Sequence, residues 1–116
     1  MTCRILNQDL IAEIRRIEQA SGQHGIFANC VRNLDSTIAA FGTAFAACVA
    51  RGDKKGATLA AHTLKGSCRQ LGAQALGDVF ADIERCANEA DYAEAQRTFE
   101  HSARLIAESL EALKQA

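Results

Sequence analysis

His62 is the residue whose neighbours best suit covalent chemistry. Between Lys54 and Gln70 the residues Ala57, Ala61, Leu64, Cys68 and Leu71 recur at helical spacing and make one apolar stripe, which leaves Thr58, His62, Lys65, Gly66 and Arg69 on the other face. Residues three and four apart on a helix are neighbours, so Lys65 and Gly66 both lie one turn from His62, and Arg69 lies one turn beyond them. A neutral imidazole has a nitrogen with a free lone pair and can attack phosphorus without the separate base a serine needs. Lys65 would set a positive charge beside the phosphoryl oxygens, where electrostatic stabilisation carries most of this class of reaction. Glycine inside a helix costs about 1 kcal/mol relative to alanine, so Gly66 needs a local reason. Clearance for another protein closing over His62 is such a reason. Relief of helix packing is the competing one, but His62, Arg69 and Gln70, one turn away, are all polar.

The remaining reactive side chains read as structural. His24 falls in Ser21-Gly22-Gln23-His24-Gly25, a turn by its two glycines, and His101 lies off the apolar stripe of its helix, so both are read as solvated. Five cysteines, Cys3, Cys30, Cys48, Cys68 and Cys86, are widely spaced with no C-x-x-C pair. They read as reduced thiols, with the last four on or beside apolar helical stripes as small core residues. No acidic cluster has metal-ligand spacing, and there is no glycine-rich nucleotide loop.

These residues need a scaffold, and the composition points to helices. The chain has 116 residues, enough for one domain; it is 48% hydrophobic and 23% charged and has no proline. Its net charge of −1 gives no field for holding nucleic acid. No stretch approaches the roughly 20 apolar residues of a membrane span, and MTCRILNQDL lacks the apolar core of a secretory signal, so a cytoplasmic location is expected.

A first short helix is expected over 7–20, capped by Asn7, with Leu10, Ile11, Ile14 and Ile17 on one side. The strongest periodicity runs from Ile26 to Ala50, where Phe27, Val31, Leu34, Ile38, Phe41, Phe45 and Cys48 alternate steps of four and three. Arg51-Gly52-Asp53 ends that helix and caps the next, Lys54 to Gln70. After Leu71-Gly72-Ala73 a helix is expected from Gln74 to Glu89 with Leu76, Val79, Phe80, Ile83 and Cys86 inward. After Asp91 a single last helix should carry Phe99, Ala103, Ile106, Leu110 and Leu113 on one side. Short connections and four long amphipathic helices predict an all-α, antiparallel up-down-up-down bundle over 26–114, with the first helix closing one end.

The stretch AHTLKGSCRQLGAQALGDVFADIE, Ala61 to Glu84, resembles the histidine-containing phosphotransfer (HPt) domain of bacterial phosphorelays. The family pattern is approximately A-H-x-L-K-G-S, then L-G-A, then spaced apolar residues ending in an acid or amide. Ala61, His62, Leu64, Lys65, Gly66, Ser67, Leu71, Gly72, Ala73, Leu76, Ile83 and Glu84 match it in register. Cys68, where a small residue is common, and Phe80, where cysteine is frequent, depart from it mildly. The resemblance implies a four-helix bundle in which His62 is phosphorylated, Lys65 neighbours the phosphate and Gly66 gives docking clearance; Thr58 and Arg69, which share the polar face of the helix, are expected beside it as docking residues. It also implies that Glu84 reaches His62 from the adjacent helix, where a carboxylate would accept the proton on one ring nitrogen and present the other; an ordinary exposed helical acid is the competing reading. Ser67 is expected at the helix interface, with its hydroxyl bonding back to a carbonyl.

The implied role is that of a relay intermediate. His62 would take a phosphoryl group from the aspartate of one response-regulator receiver and pass it to another, downstream of a hybrid sensor kinase. No cofactor of its own is expected, Mg2+ being supplied by the receiver, and a monomer suffices. The phosphoacceptor domain of a chemotaxis-type kinase and a non-catalytic helical adaptor are the alternatives. A kinase dimerisation domain is disfavoured, because Thr63 rather than an acid follows His62 and proline is absent.

Overall fold

In the computed structural model, which describes residues 5–116, six helices follow one another: α1 (Gln8–Ala20), α2 (Ile26–Ala50), α3 (Lys54–Gln70), α4 (Gln74–Asn88), α5 (Tyr92–His101) and α6 (Ala103–Lys114). Cys3 lies outside the described residues. All regular secondary structure among the described residues is helical, with no strand.

One turn geometry joins α2 to α3, α3 to α4 and α4 to α5. The helix closes with a residue in the left-handed region, Gly52 (φ 71°), Gly72 (φ 86°) or Ala90 (φ 61°). The next N–H then reaches back to the carbonyl of Cys48, Cys68 or Cys86 at 2.8 Å each time, the six-to-one bond of a Schellman motif. Each motif ends one helix and starts the next within three residues, so consecutive helices pack on one another, α3 most extensively on α4.

The expected stripes face the core. Phe27, Val31, Leu34, Ile38, Phe41 and Phe45 of α2 are buried, as are Ala57, Ala61, Leu64 and Cys68 of α3 and Leu76, Phe80, Ile83 and Cys86 of α4. Phe41 is at the centre of an aromatic cluster, with ring centroids 5.3 Å from Phe45 and from Phe80 and 5.0 Å from Phe99. By length and composition alone α2 is apolar enough to cross a membrane, contrary to the sequence expectation. Its large side chains form the core, and alanines account for much of the remaining apolar content.

Helix α1 is fastened at both ends. The Asn7 N–H donates to the carbonyl of Gly72 at 2.7 Å, and Ile11 packs over the same turn. At the other end the buried Glu18 carboxylate accepts the Phe27 N–H at 2.9 Å, capping α2, whose own N-cap residue, Gly25, has no side chain to do so.

Three further expectations change. The last helix is two, interrupted at Ser102, whose N–H is shared between the carbonyls of Thr98 and Phe99; beyond this break Ala103 faces solvent while Ile106, Leu110 and Leu113 stay inside. Ile17 is exposed, because α1 is covered on a narrower strip than its apolar content allows. Cys30 is exposed too, since it lies beside the α2 seam rather than on it, and Cys48 is half-buried. Cys68 and Cys86 are buried, which raises both thiols, that of Cys68 to about 12, and leaves them protonated.

The left-handed turns make opposite predictions. Ala90→Gly relieves a conformation that costs an L-residue about 1–2 kcal/mol and should raise the melting temperature. Gly72→Ala incurs that strain and drives a Cβ to 2.9 Å from Ile11, so it should lower the melting temperature and loosen α1. Thermal unfolding with hydrogen exchange in α1 reads both.

Candidate functional site

Helix α3 begins on Asp53, whose carboxylate accepts the Gly56 N–H at 2.8 Å. That bond outweighs slight desolvation and, with Arg51 nearby, holds the Asp53 carboxyl below its ordinary value. Two turns further on, Ala61 and Leu64 are buried against the core, which turns His62 outward, its side chain 58% exposed.

The third partner comes from α4. Ile83 is buried, and Glu84, the next residue, emerges at the edge of α4 that borders α3. Its two carboxylate oxygens are used separately: Oε2 lies 3.0 Å from His62 Nδ1, and Oε1 lies 2.7 Å from Lys65 Nζ. Burial pushes the Glu84 carboxyl up, but the bonds from Lys65 and His62 outweigh it and hold the group below its ordinary value. Its pairing therefore stabilises the folded domain above the ordinary carboxylate range and is lost as pH falls through the depressed value. An ionised carboxylate only accepts, so the imidazole proton is assigned to Nδ1, and Nε2 is left with its lone pair facing solvent.

One turn from His62 the surface is open. A Cβ built on Gly66 would have nothing within 4 Å, so the glycine is not there to relieve packing between helices. Beside the ring is a shallow hollow lined by Lys54, Lys55, Thr58, Leu59, Glu84 and Asn88.

The Hpt domain family model matches residues 8–116. The chain belongs to the Hpt domain family. No curated protein and no solved structure matches it. Hpt domains carry out histidine phosphotransfer in phosphorelays and interact with receiver domains and kinases.

In this Hpt domain His62, Lys65, Gly66 and Glu84 come together, and the other expected site residues are placed differently. Arg69 shares the exposed face, but its guanidinium is held by Asp78 of α4 at 3.0 Å and its stem lies over Gly77, where a Cβ would come within 2.7 Å. Thr58 lines the hollow, yet its hydroxyl oxygen is buried and has no hydrogen-bond partner among the described residues. Ser67 is on the far side of α3, at a groove it shares with Cys30, Leu34 and Thr37 of α2, as expected of an interface residue. His24 and His101 are exposed, and neither lines the hollow beside His62. Among the described residues no three of His, Cys, Asp and Glu converge to hold a metal, and the one carboxylate beside His62 is already taken up by Lys65.

Two features of the site have only faint sequence signals. Leu59, 59% exposed, is an apolar residue one turn before His62 on the polar face, a break in the pattern visible in the sequence. The Lys65–Glu84 pair spans two helices and has no local signature.

Gly66 gives a prediction in which stability and activity diverge. Gly66→Ala should stabilise the domain by about 1 kcal/mol from helix propensity, because its Cβ meets no neighbour. Phosphoryl transfer from a receiver should fall from glycine to alanine to glutamine while the melting temperature rises or holds. A glutamine variant that transfers at the wild-type rate would remove the clearance argument.

Proposed function

We propose that this domain is a phosphorelay intermediate in which His62 takes a phosphoryl group from a receiver aspartate and yields it to a second receiver. The observation that carries this reading is the His62 ring, with Nδ1 engaged by Glu84 at 3.0 Å and Nε2 free on an open surface. In the forward step the Nε2 lone pair forms a bond to phosphorus as the bond from phosphorus to the aspartyl oxygen breaks. The departing carboxylate keeps that bond's electron pair, and the ring becomes a phosphoryl-imidazolium that retains its Nδ1 proton. The second receiver reverses this sequence. Glu84 orients the ring and meets the positive charge that develops on it, as the buried acid does beside a catalytic histidine.

Lys65 supplies the cation nearest this chemistry. Its side chain is 24% exposed, so its charge is less screened than that of a free surface lysine, and its three donors let it serve Glu84 and the phosphoryl oxygens in turn. Leu59, Gly66 and the open hollow make the surface on which a receiver seats, with Thr58 and Arg69 at its α4 side. The receiver brings the Mg2+ that neutralises the phosphoryl oxygens during transfer. The antiparallel up-and-down order of α2, α3, α4 and the α5–α6 pair belongs to the same proposal, as do a monomeric state and a cytoplasmic location.

Incubation with phosphorylated receivers tests the reading. Acid-labile, alkali-stable label should appear on the wild-type domain and be absent from His62→Gln. Label that persists on His62→Gln, or that appears on neither protein with any receiver of the source organism, overturns it. Lys65→Ala should slow transfer or shorten the lifetime of the phosphohistidine without unfolding the domain, with Lys65→Arg milder than Lys65→Glu. Equal rates in all three would make the lysine a bystander.

A further inference from the structure

Among the described residues every arginine and lysine is paired with a carboxylate except Arg32, Lys54 and Lys55. Arg32, on α2, is held by the neutral Asn29 side chain. Lys54 and Lys55 are exposed in the first turn of α3, and both line the hollow beside His62. The acids that could neutralise them are committed elsewhere. The Asp53 carboxylate accepts the Gly56 N–H and pairs with Arg51, and the Glu84 carboxylate is divided between His62 and Lys65. The first turn of α3 has no acid of its own, so these two cations face the positive end of the helix dipole, a disadvantage to the domain by itself.

Along α3 the residues Lys55, Leu59, His62 and Gly66 follow at steps of four, three and four, which puts them in one line on the outer side of the helix. At the helical rise of about 1.5 Å per residue, Lys55 stands about 10 Å along the axis from His62, with the exposed Leu59 between them. Towards the other end of α3 the charge is spent: Arg69 is neutralised by Asp78 at 3.0 Å. The unpaired positive charge therefore lies on one side of His62 only, and a partner that answers it is held in one orientation.

We propose that Lys54 and Lys55 select the receiver: they favour one whose docking face carries a carboxylate about 10 Å from its phosphorylated aspartate, with apolar surface for Leu59 between the two, and they reject one with a basic side chain at that place. This rests on His62 being the phosphoryl carrier, a reading that requires a receiver without saying which. An apolar contact at Leu59 alone would discriminate little between receivers, whereas charge complementarity steers encounter and like charges brought face to face exclude the wrong partner. A carboxylate seated on Lys55 sets the aspartyl phosphate over His62.

Transfer from each phosphorylated receiver of the source organism is measured with the wild-type domain, Lys54→Glu and Lys55→Glu at low and at physiological salt. With receivers that have the expected acid, either reversal should lower the second-order rate of transfer by about tenfold at low salt, and the gap should narrow as salt rises. With receivers that have a basic side chain there, the same reversals should raise it. Exchanging the receiver's acid for lysine should restore transfer to Lys55→Glu. Arg32→Glu makes the same change of charge at a separate groove of α2, with Phe27 and Leu113, and should leave every rate as it was. An acid suits the first turn of a helix, so the reversals should hold or raise the melting temperature. Should one unfold, Lys55→Gln serves in its place and should give a smaller loss with the same receivers. Rates unmoved by every lysine variant, or lowered equally by Arg32→Glu, with His62 still the labelled residue, overturn the proposal and leave the carrier reading intact. Label that does not depend on His62 overturns the carrier reading itself.

Discussion

The reach of one carboxylate across the α3–α4 interface is the constraint on which the rest of the site depends. Glu84 can touch both His62 and Lys65 only if the two helices run close together, and the buried residues along the contact allow this. Ala57, Ala61 and Ala73 are fully buried and add little bulk, and Leu64 and Cys68 of α3 are buried together with Leu76, Phe80 and Ile83 of α4. The Schellman turn at Gly72 sets the two helices side by side without slack, and the Asn7 and Ile11 contacts of α1 hold that turn from outside. Arg69 and Asp78 clasp the same interface near the turn. In this arrangement the aromatic cluster of α2, α4 and α5 is a brace for α4, and the geometry at His62 is what it secures.

Stability and chemistry draw on different parts of the molecule. Exposed ion pairs such as Arg69–Asp78 and Arg97–Glu94 contribute roughly 0–1 kcal/mol each, so they are poor candidates for holding the fold together. The buried apolar residues do that, at about 25 cal/mol for each Å² of apolar surface removed from water. This leaves the polar face of α3 free to be arranged for function. Its glycine forgoes helix propensity at Gly66, and Leu59 leaves apolar surface in water, two local disadvantages that a partner's surface would offset.

Much of this was legible in the sequence because helical periodicity is a local property. The stripes of α2, α3 and α4 follow from apolar residues three and four apart, and their buried members are the expected ones with few changes. Misreadings arose where burial depends on what lies opposite. Ile17 and Cys30 have the spacing or the neighbourhood of core residues but face no covering helix. Ser102 interrupts a continuous pattern with neither glycine nor proline to announce it, and past that break Ala103 turns to solvent.

The sequence by itself determined which face of α3 is polar, that His62, Lys65 and Gly66 share it, and that the pattern from Ala61 to Glu84 is that of the Hpt family, because all of these are set by residue identity and the 3.6-residue turn. Only the tertiary structure decided that Glu84 divides its two oxygens between His62 Nδ1 and Lys65 Nζ, that Arg69 is bound to Asp78 across the interface, and that the Thr58 hydroxyl is buried. The physical reason is one of distance: each of these contacts joins or depends on residues from separate helices, and whether two side chains meet at 3 Å or miss is fixed by how two helices pack, a quantity that no single helix encodes.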